Sequence, residues 1–380
     1  MHIAFITSNY PSPIKPTNGT FVQQFVSAMA RQGHECSVIN PITYFDRRFG
    51  TYPSRFKTEG ESIRIYRPLY LSCSSIDLSW AHTGRWTNSL FSRSVLKSLE
   101  NLPSPPDLLY GHFLYPAGHA AICAAKEMRV PSVVGVGEGE FWTVEPLGFP
   151  LASIQMQQAS AFLSVSTCIA EELTKRLEIP PEKIEIFPNG VDPDVFHPRD
   201  RFEMCKDLGI SPDTFNIGYV GPFIAQKGYP KLLEAVEGLD DVKLVLLGRG
   251  TLPPQDSKIV FSGSVPHSAV ANYLGACDIF VLPTIIEGSC NSVIEAMACG
   301  LPIVTSNGRY MDDIVDDEVA FRVDPTNVPA IREAIIALKN NPELRKRMSE
   351  ACLRKAKQLD INERALRVTK WINEIIRQTA

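Results

Sequence analysis

The densest chemistry in the chain lies in the segment Pro283-Thr284-Ile285-Ile286-Glu287-Gly288-Ser289-Cys290-Asn291-Ser292-Val293-Ile294-Glu295-Ala296-Met297-Ala298. An apolar run ends at Leu282, a turn holding Glu287 and Gly288 follows, and a helical pattern begins near Ser292. A helix starting there leaves the backbone N–H groups of Asn291, Ser292 and Val293 without intrahelical acceptors. With the helix dipole, those donors form an anion site. Glu295 falls in the first helical turn, where a carboxylate at a strand-to-helix crevice accepts hydrogen bonds from two ribose hydroxyls. Phosphate and ribose together make a nucleotide the fitting ligand. Taken singly, Glu295 reads as a charge that complements the dipole and Glu287 as a solvated loop residue. The complete pattern is what points to a ligand.

Other polar groups stand at strand ends. Lys227-Gly228 follows Tyr219-Val220-Gly221, which places a cation just beyond a strand. Glu138 and Glu140 occupy the glycine-rich stretch Gly135-Val136-Gly137-Glu138-Gly139-Glu140-Phe141-Trp142. Either one is a base or hydrogen-bond partner for a substrate hydroxyl, or the stretch is an acidic turn. His112 and His119 flank Tyr115-Pro116, and His112 reads equally as a binding-site or a structural histidine.

The elements that must position these groups alternate in period. Short apolar runs at Ile3–Thr7, Cys36–Ile39, Leu108–Tyr110, Ser132–Val136 and Phe162–Val165 read as buried strands. Helical patterns follow at Phe21–Met29 (closed by Gly33), Pro116–Met128 and Cys168–Leu177. A proline-rich boundary spans Ile184 to Asp213, and a second series succeeds it. Its strands are Asn216–Val220, Lys243–Leu247, Ile259–Ser262, Ile279–Leu282 and, as the last clear one, Ile303–Thr305. Its helices are Tyr229–Val236, Ala269–Ala276 and one from Val293, and the tail from Pro329 to Thr379 is almost all helical in pattern. Alternation of this kind predicts parallel sheets built from βαβ units. The fold class is α/β, with two Rossmann-like, doubly wound domains facing a central cleft. The expected division is 1–195, 196–358, and a C-terminal helix over 359–380 that packs back on the first domain.

Composition narrows the class. The 380 residues suit two α/β cores, and the contents of 44% hydrophobic and 21% charged residues are ordinary for a globular chain. A formal net charge of −4 gives no general attraction to nucleic acid. The nine cysteines include no C-x-x-C pair and read as reduced, mostly buried thiols in a cytoplasmic protein. No signal peptide or membrane-spanning run is evident. Residues 44–57 interleave aromatics with cations and read either as a solvated loop or as a peripheral membrane contact. The proline–asparagine–glycine turn at Pro188-Asn189-Gly190 predicts positive φ at Gly190.

The arrangement Glu287-x7-Glu295 followed by Ala296-Met297-Ala298-x-Gly300-x-Pro302 resembles the signature of the family-4 retaining glycosyltransferases of the GT-B fold. Further segments agree in order: Thr17-Asn18-Gly19-Thr20-Phe21, Val165-Ser166, Phe187-Pro188-Asn189-Gly190-Val191-Asp192, Val220-Gly221 with Lys227-Gly228, Leu247-Gly248-x-Gly250, and Asp278–Pro283. The resemblance implies sugar transfer from a nucleotide diphosphate-sugar, a UDP- or GDP-sugar, to a glycan or lipid-linked acceptor with retention of configuration. It implies that Glu295 binds the donor ribose, that Glu287 contacts the sugar and that Lys227 pairs with the diphosphate. Gly19, Gly288, Asn291, Ser292 and Val293 complete the donor site. Glu138 joins Glu287 and Lys227 as a catalytic candidate, and Asn18, His112 and Glu140 lie on the acceptor side. No cofactor is expected, and no metal: the leaving charge is met by Lys227 and amides, and no Asp-x-Asp stands at a strand end. The chain is placed in the cytoplasm or at the inner face of the membrane.

The chain departs from the family pattern twice. An arginine usually follows Val220-Gly221, where this chain has Pro222 and Phe223, so the second diphosphate cation is missing or comes from Arg249 or Arg309. A histidine usual near residue 137 is absent, and Gly137 and Glu138 stand there. Two rivals follow: a nucleotide-sugar epimerase on the same fold, and a non-catalytic sugar-nucleotide-binding protein. A dinucleotide oxidoreductase is disfavoured because no G-x-G-x-x-G follows the first strand.

Overall fold

A computed structural model describes residues 1–12, 15–44, 63–73, 77–78, 81–250 and 256–379. Apart from Tyr44, the aromatic–cationic run at 44–57 lies outside the described residues. The chain divides into two compact units, Met1–Pro188 with Asn362–Ala380, and Asn189–Ile361.

In the first unit, β1 (His2–Thr7) leads to α1 (Thr20–Arg31), β2 (Glu35–Ile39) and the short β3 (Ile42–Thr43). Then come β4 (Ile63–Tyr66), β5 (Leu69–Tyr70), β6 (Asp77–Leu78), β7 (Ala81–His82) and α2 (Gly84–Glu100). The series β8 (Leu108–His112), α3 (His119–Met128), β9 (Ser132–Val136), α4 (Phe149–Met156), β10 (Ala161–Ser164), α5 (Thr167–Leu177) and β11 (Ile184–Ile186) completes it. Seven strands form a sheet in the order β11-β10-β9-β8-β1-β2-β4, with every recorded pair parallel. All residues of β1, β8 and β9 are buried, as expected of a parallel sheet covered on both faces. Helix α2, which the apolar pattern did not reveal, is polar overall but buries Phe91, Val95 and Leu99 on one stripe.

The second unit carries α6 (Arg201–Leu208), β12 (Phe215–Val220), α7 (Tyr229–Val236), β13 (Val242–Leu247) and β14 (Ile259–Gly263). It continues with α8 (Val270–Gly275), β15 (Ile279–Leu282), α9 (Asn291–Ala298), β16 (Ile303–Ser306), β17 (Ala320–Val323), α10 (Val328–Asn340) and α11 (Pro342–Gln358). Its sheet is parallel too, in the order β14-β13-β12-β15-β16-β17. The last strand lies beyond the expected end at Ile303–Thr305. β17 escaped notice because three of its four residues, Arg322 among them, are only half-buried, so no apolar run marks it. The strand Ile184–Ile186, read as part of a boundary, is the edge of the first sheet.

The final helix α12 (Ile361–Thr379) returns the chain to the first unit. Its buried Arg364 donates through Nε to the Pro188 carbonyl at 2.7 Å, and its guanidinium lies 4.5 Å from the Phe25 ring centre. His34 Nε2 and Thr369 Oγ1 stand 2.9 Å apart, and Trp371 packs on Phe187. Among the described residues no helix is long and apolar enough to cross a membrane. Cys36, Cys205, Cys277, Cys290, Cys299 and Cys352 are buried, whereas Cys73 and Cys123 are exposed.

Gly190 corrects one expectation. It does not have positive φ. Glycine is required there because an added Cβ would lie 2.6 Å from the Ile361 Cα, where Val191 and Asp360 form a parallel bridge. Gly190→Ala is therefore expected to destabilise the second unit by about 1–3 kcal/mol, as overpacking against backbone does. Chemical denaturation with an unchanged midpoint would refute this.

Candidate active site

In each sheet the strand order reverses once, between β1 and β8 in the first unit and between β12 and β15 in the second. Ligands of open α/β sheets bind beyond the carboxyl ends of the strands at such a switch point. The sequence-predicted residues divide between the two units. Gly19, Asn18, His112, Glu138 and Glu140 belong to the first unit, and Lys227, Glu287, Gly288, Asn291, Ser292, Val293 and Glu295 to the second.

In the second unit β12 and β15 pair directly, Ile217 with Ile279 and Gly218 with Phe280. The segments leaving them must run side by side. Ile285 donates its amide to the Gln226 carbonyl at 2.8 Å. Gly228, at φ 74°, passes so close to Pro283 that an added Cβ would lie 2.0 Å from its carbonyl oxygen. This approach places Lys227 Nζ 2.6 Å from Glu287 Oε1, with only 22% and 15% of the two side chains exposed. The Glu287 turn is held from behind. Thr305 Oγ1 donates to the Leu282 carbonyl at 2.9 Å, and Tyr310 Oη donates to that of Thr284 at 2.8 Å.

The start of α9 departs from expectation at two points. The helix begins at Asn291, so Glu295 lies in its second turn. The Val293 amide is already used, donating to the Cys290 carbonyl at 3.1 Å. The amides of Asn291 and Ser292 have no protein partner among the described residues, and they are the donors left for an anion. Gly288 is buried in the turn. Asn189 ties the Pro188-Asn189-Gly190 motif to this loop, donating from Nδ2 to Asn291 Oδ1 at 2.8 Å and from its amide to Ser289 Oγ at 3.3 Å.

Glu295 is 7% exposed. Its Oε1 lies 2.8 Å from Nε2 of His267, a residue that the sequence reading passed over. Burial opposes the imidazolium, but the hydrogen bond and charge of Glu295 outweigh it and raise the His267 pKa above its ordinary value. The available signal was local: Pro266-His267 follows the end of β14, another carboxyl strand end in the same sheet.

At the position lacking the family's arginine, Pro222 is exposed and Phe223 is buried between Tyr219 and Tyr229. The Phe223 amide donates to the Arg249 carbonyl at 2.9 Å, which brings the Arg249 backbone beside the vacated position.

In the first unit Thr7 and His112 pair at the ends of β1 and β8. Gly19, at φ 69°, begins α1 and packs on the Asn9 carbonyl, which an added Cβ would meet at 2.3 Å. The neighbouring Asn18 is half-buried. His112 is buried against Phe113 and Phe21, and neither ring nitrogen has a hydrogen-bond partner among the described residues. Burial, helped by the charge of Arg364, pushes its pKa down to about 3 and keeps the ring neutral. Glu138 is buried, and its oxygens accept from the amides of Leu114 at 2.8 Å and Gly137 at 3.2 Å. Burial raises its pKa to about 7, against the lowering effect of those amides. Glu140 is exposed and does not join it. Glu138 lines a pocket of about 620 Å³ together with Phe113, Tyr115, Trp142, Leu147, Asn9 and Thr143. Neither His112 nor Glu140 lines this pocket.

The Glu138 shift has a stability consequence. Its folded pKa exceeds its unfolded value, so the folded state holds the extra proton between pH of about 4.5 and 7, and stability is lost as pH rises through that window. Glu138→Gln removes this loss. The melting temperature of the variant should gain on that of the natural protein between pH of about 5 and 8, by the equivalent of about 2–3 kcal/mol at most. Parallel pH profiles would show that the carboxyl ionises as in the unfolded chain.

Two family models match. Residues 19–195 match Glycosyltransferase Family 4, and residues 200–354 match Glycosyl transferases group 1. The putative teichuronic acid biosynthesis glycosyltransferase TuaC of Bacillus subtilis (strain 168) is 29% identical over 355 residues, which covers 88% of each chain. The GDP-mannose-dependent alpha-mannosyltransferase of Mycolicibacterium smegmatis is 27% identical, over 83% of this chain and 82% of its own. Among solved structures, the sucrose-phosphate synthase from Thermosynechococcus elongatus superposes with a TM-score of 0.81 at 16% identity, over the whole of both chains. Anabaena HepE, solved in complex with UDP, superposes with a TM-score of 0.76 at 16% identity, over 98% of this chain and 100% of its own. With the two-glutamate motif at one switch point, paired parallel sheets and both halves matched, the chain belongs to the family-4 glycosyltransferases of the GT-B fold.

Proposed function

We propose that this glycosyltransferase takes its nucleotide-sugar donor at the β12–β15 switch point and passes the sugar to a hydroxyl of a glycan or lipid-linked acceptor held in the first unit's pocket. The observation that carries the reading is the half-buried Lys227–Glu287 pair beside the amides that open α9, with Glu295 one turn further on. In this reading the ion pair keeps both groups placed while the site is empty. An arriving diphosphate takes Lys227 as its counter-charge, and Glu287 turns to the sugar hydroxyls. The Asn291 and Ser292 amides share the phosphate charge, which grows as the bond from the anomeric carbon to the phosphate oxygen breaks. The acceptor oxygen forms its bond on the same face, and its proton passes to the departing phosphate, giving retention. This scheme needs neither metal nor cofactor. UDP and GDP both suit the ribose and diphosphate contacts. The HepE structure holds UDP and the M. smegmatis relative is GDP-mannose-dependent.

Thermal shift against UDP, GDP, ADP and dTDP tests the donor site, since selective binding raises the melting temperature. One nucleotide should stabilise the protein. Glu295→Ala should lose most of that gain, and Lys227→Ala should lower kcat by about 10²–10³-fold. Turnover should survive EDTA. No stabilisation at millimolar nucleotide, or full activity in Lys227→Ala, would sink the assignment. For a lipid-linked acceptor, we assign contact with the inner membrane face to the cationic run at residues 44–57. Flotation with anionic vesicles that persists after Arg47→Ala and Arg48→Ala would refute that part.

A further inference from the structure

Glu295 is a buried carboxylate with one side-chain partner among the described residues, His267. The contact is built by packing. His267 opens a short 3-10 turn that runs into α8, and α8 buries Val270, Ala271 and Leu274 as it packs beside α9, the helix that carries Glu295. The edge of the Phe196 ring meets the imidazole at 5.1 Å between ring centres and limits its rotation. A carboxylate can accept several hydrogen bonds. Here His267 Nε2 occupies Oε1, and Oε2 has no protein partner among the described residues.

We propose that His267 is a positioning residue for donor recognition: it fixes the Glu295 carboxylate so that its remaining acceptor sites meet the vicinal hydroxyls of the donor ribose, and it thereby sets the enzyme's preference for ribonucleotides over 2′-deoxyribonucleotides. The proposal rests on the reading of Glu295 as the ribose ligand. Without His267, Glu295 remains a carboxylate in the same helix but is free to rotate or to recruit water, and a diol gains less over a single hydroxyl. His267 does not touch the reacting atoms, so its loss acts on donor binding and leaves the chemical step nearly alone.

The experiment measures binding of the preferred nucleoside diphosphate and of its 2′-deoxy form to the natural protein, Glu295→Ala, His267→Ala, His267→Gln and His267→Asn. Turnover with the matching nucleotide-sugar is followed alongside. The natural protein should prefer the ribonucleotide. His267→Ala should cut that preference about tenfold and raise the donor KM by a similar factor, the scale of one charge-assisted hydrogen bond, with kcat changed less than about twofold. His267→Gln, whose amide nitrogen reaches the position of Nε2, should restore most of the preference. His267→Asn, which is shorter, should not. If Glu295→Ala loses the preference and His267→Ala keeps it, His267 has no positioning role and the donor site stands. If Glu295→Ala keeps the preference, the ribose assignment itself is wrong. Should His267→Ala fail to fold, the contrast between Gln and Asn decides: equal preference in both overturns the proposal.

Discussion

The second unit depends on one backbone constraint, the parallel pairing of β12 with β15. These strands are far apart in sequence and adjacent in the sheet, Ile217 beside Ile279 and Gly218 beside Phe280. The order of strands reverses at this point, so the chain leaves each strand on a different path and a crevice opens between the two exits. Everything assigned to the donor follows from it. Lys227 comes from one exit and Glu287 from the other, and Gly228 is the residue that lets the two backbones close on each other.

Electrostatics then decides what the crevice is worth. A lysine and a glutamate removed from most of their water lose hydration, and their attraction to each other offsets that loss when they stay paired. The pairing leaves neither charge bare in the crevice, and it is this pair on which the proposed donor site rests. The tyrosine and threonine hydroxyls behind the turn bond to backbone carbonyls, and Tyr310 also to the Ser306 hydroxyl at 3.1 Å, so the turn is held by neutral groups. In the first unit burial has the reverse effect. Desolvation keeps His112 neutral, and it holds a proton on Glu138 until pH of about 7, so the pocket that Glu138 lines meets a hydrogen-bonding carboxyl there in place of a fixed charge.

The fold, and the gathering of Lys227, Glu287 and the start of α9 at one place, were legible in the sequence because both leave local marks. Buried parallel strands are short apolar runs, and the turn between β15 and α9 has its own residue order. Elements without such marks were missed: α2, apolar only along a narrow stripe, and the half-buried edge strand β17. The finer errors are long-range. Nothing near Gly190 announces that Ile361 presses against it, and nothing near Val293 says that its amide bends back to Cys290. The position of His267 at a strand end was readable, but its partnership with Glu295 was not, for the same reason. The histidine is remote from Glu295 in sequence, and only the packing of α8 beside α9 joins them.

The return of α12 to the first unit bears on how such enzymes diversify. The half that carries the pocket is discontinuous in the gene: its last helix is encoded after the whole of the nucleotide half, and Arg364 on that helix satisfies the Pro188 carbonyl at the end of the first segment. A single recombination event between two related genes would therefore join a first half to a foreign closing helix. Exchange of acceptor preference by shuffling requires two crossovers, or an inserted nucleotide half, and the fit of residues 362–380 to their own first segment acts as a filter on which hybrids survive.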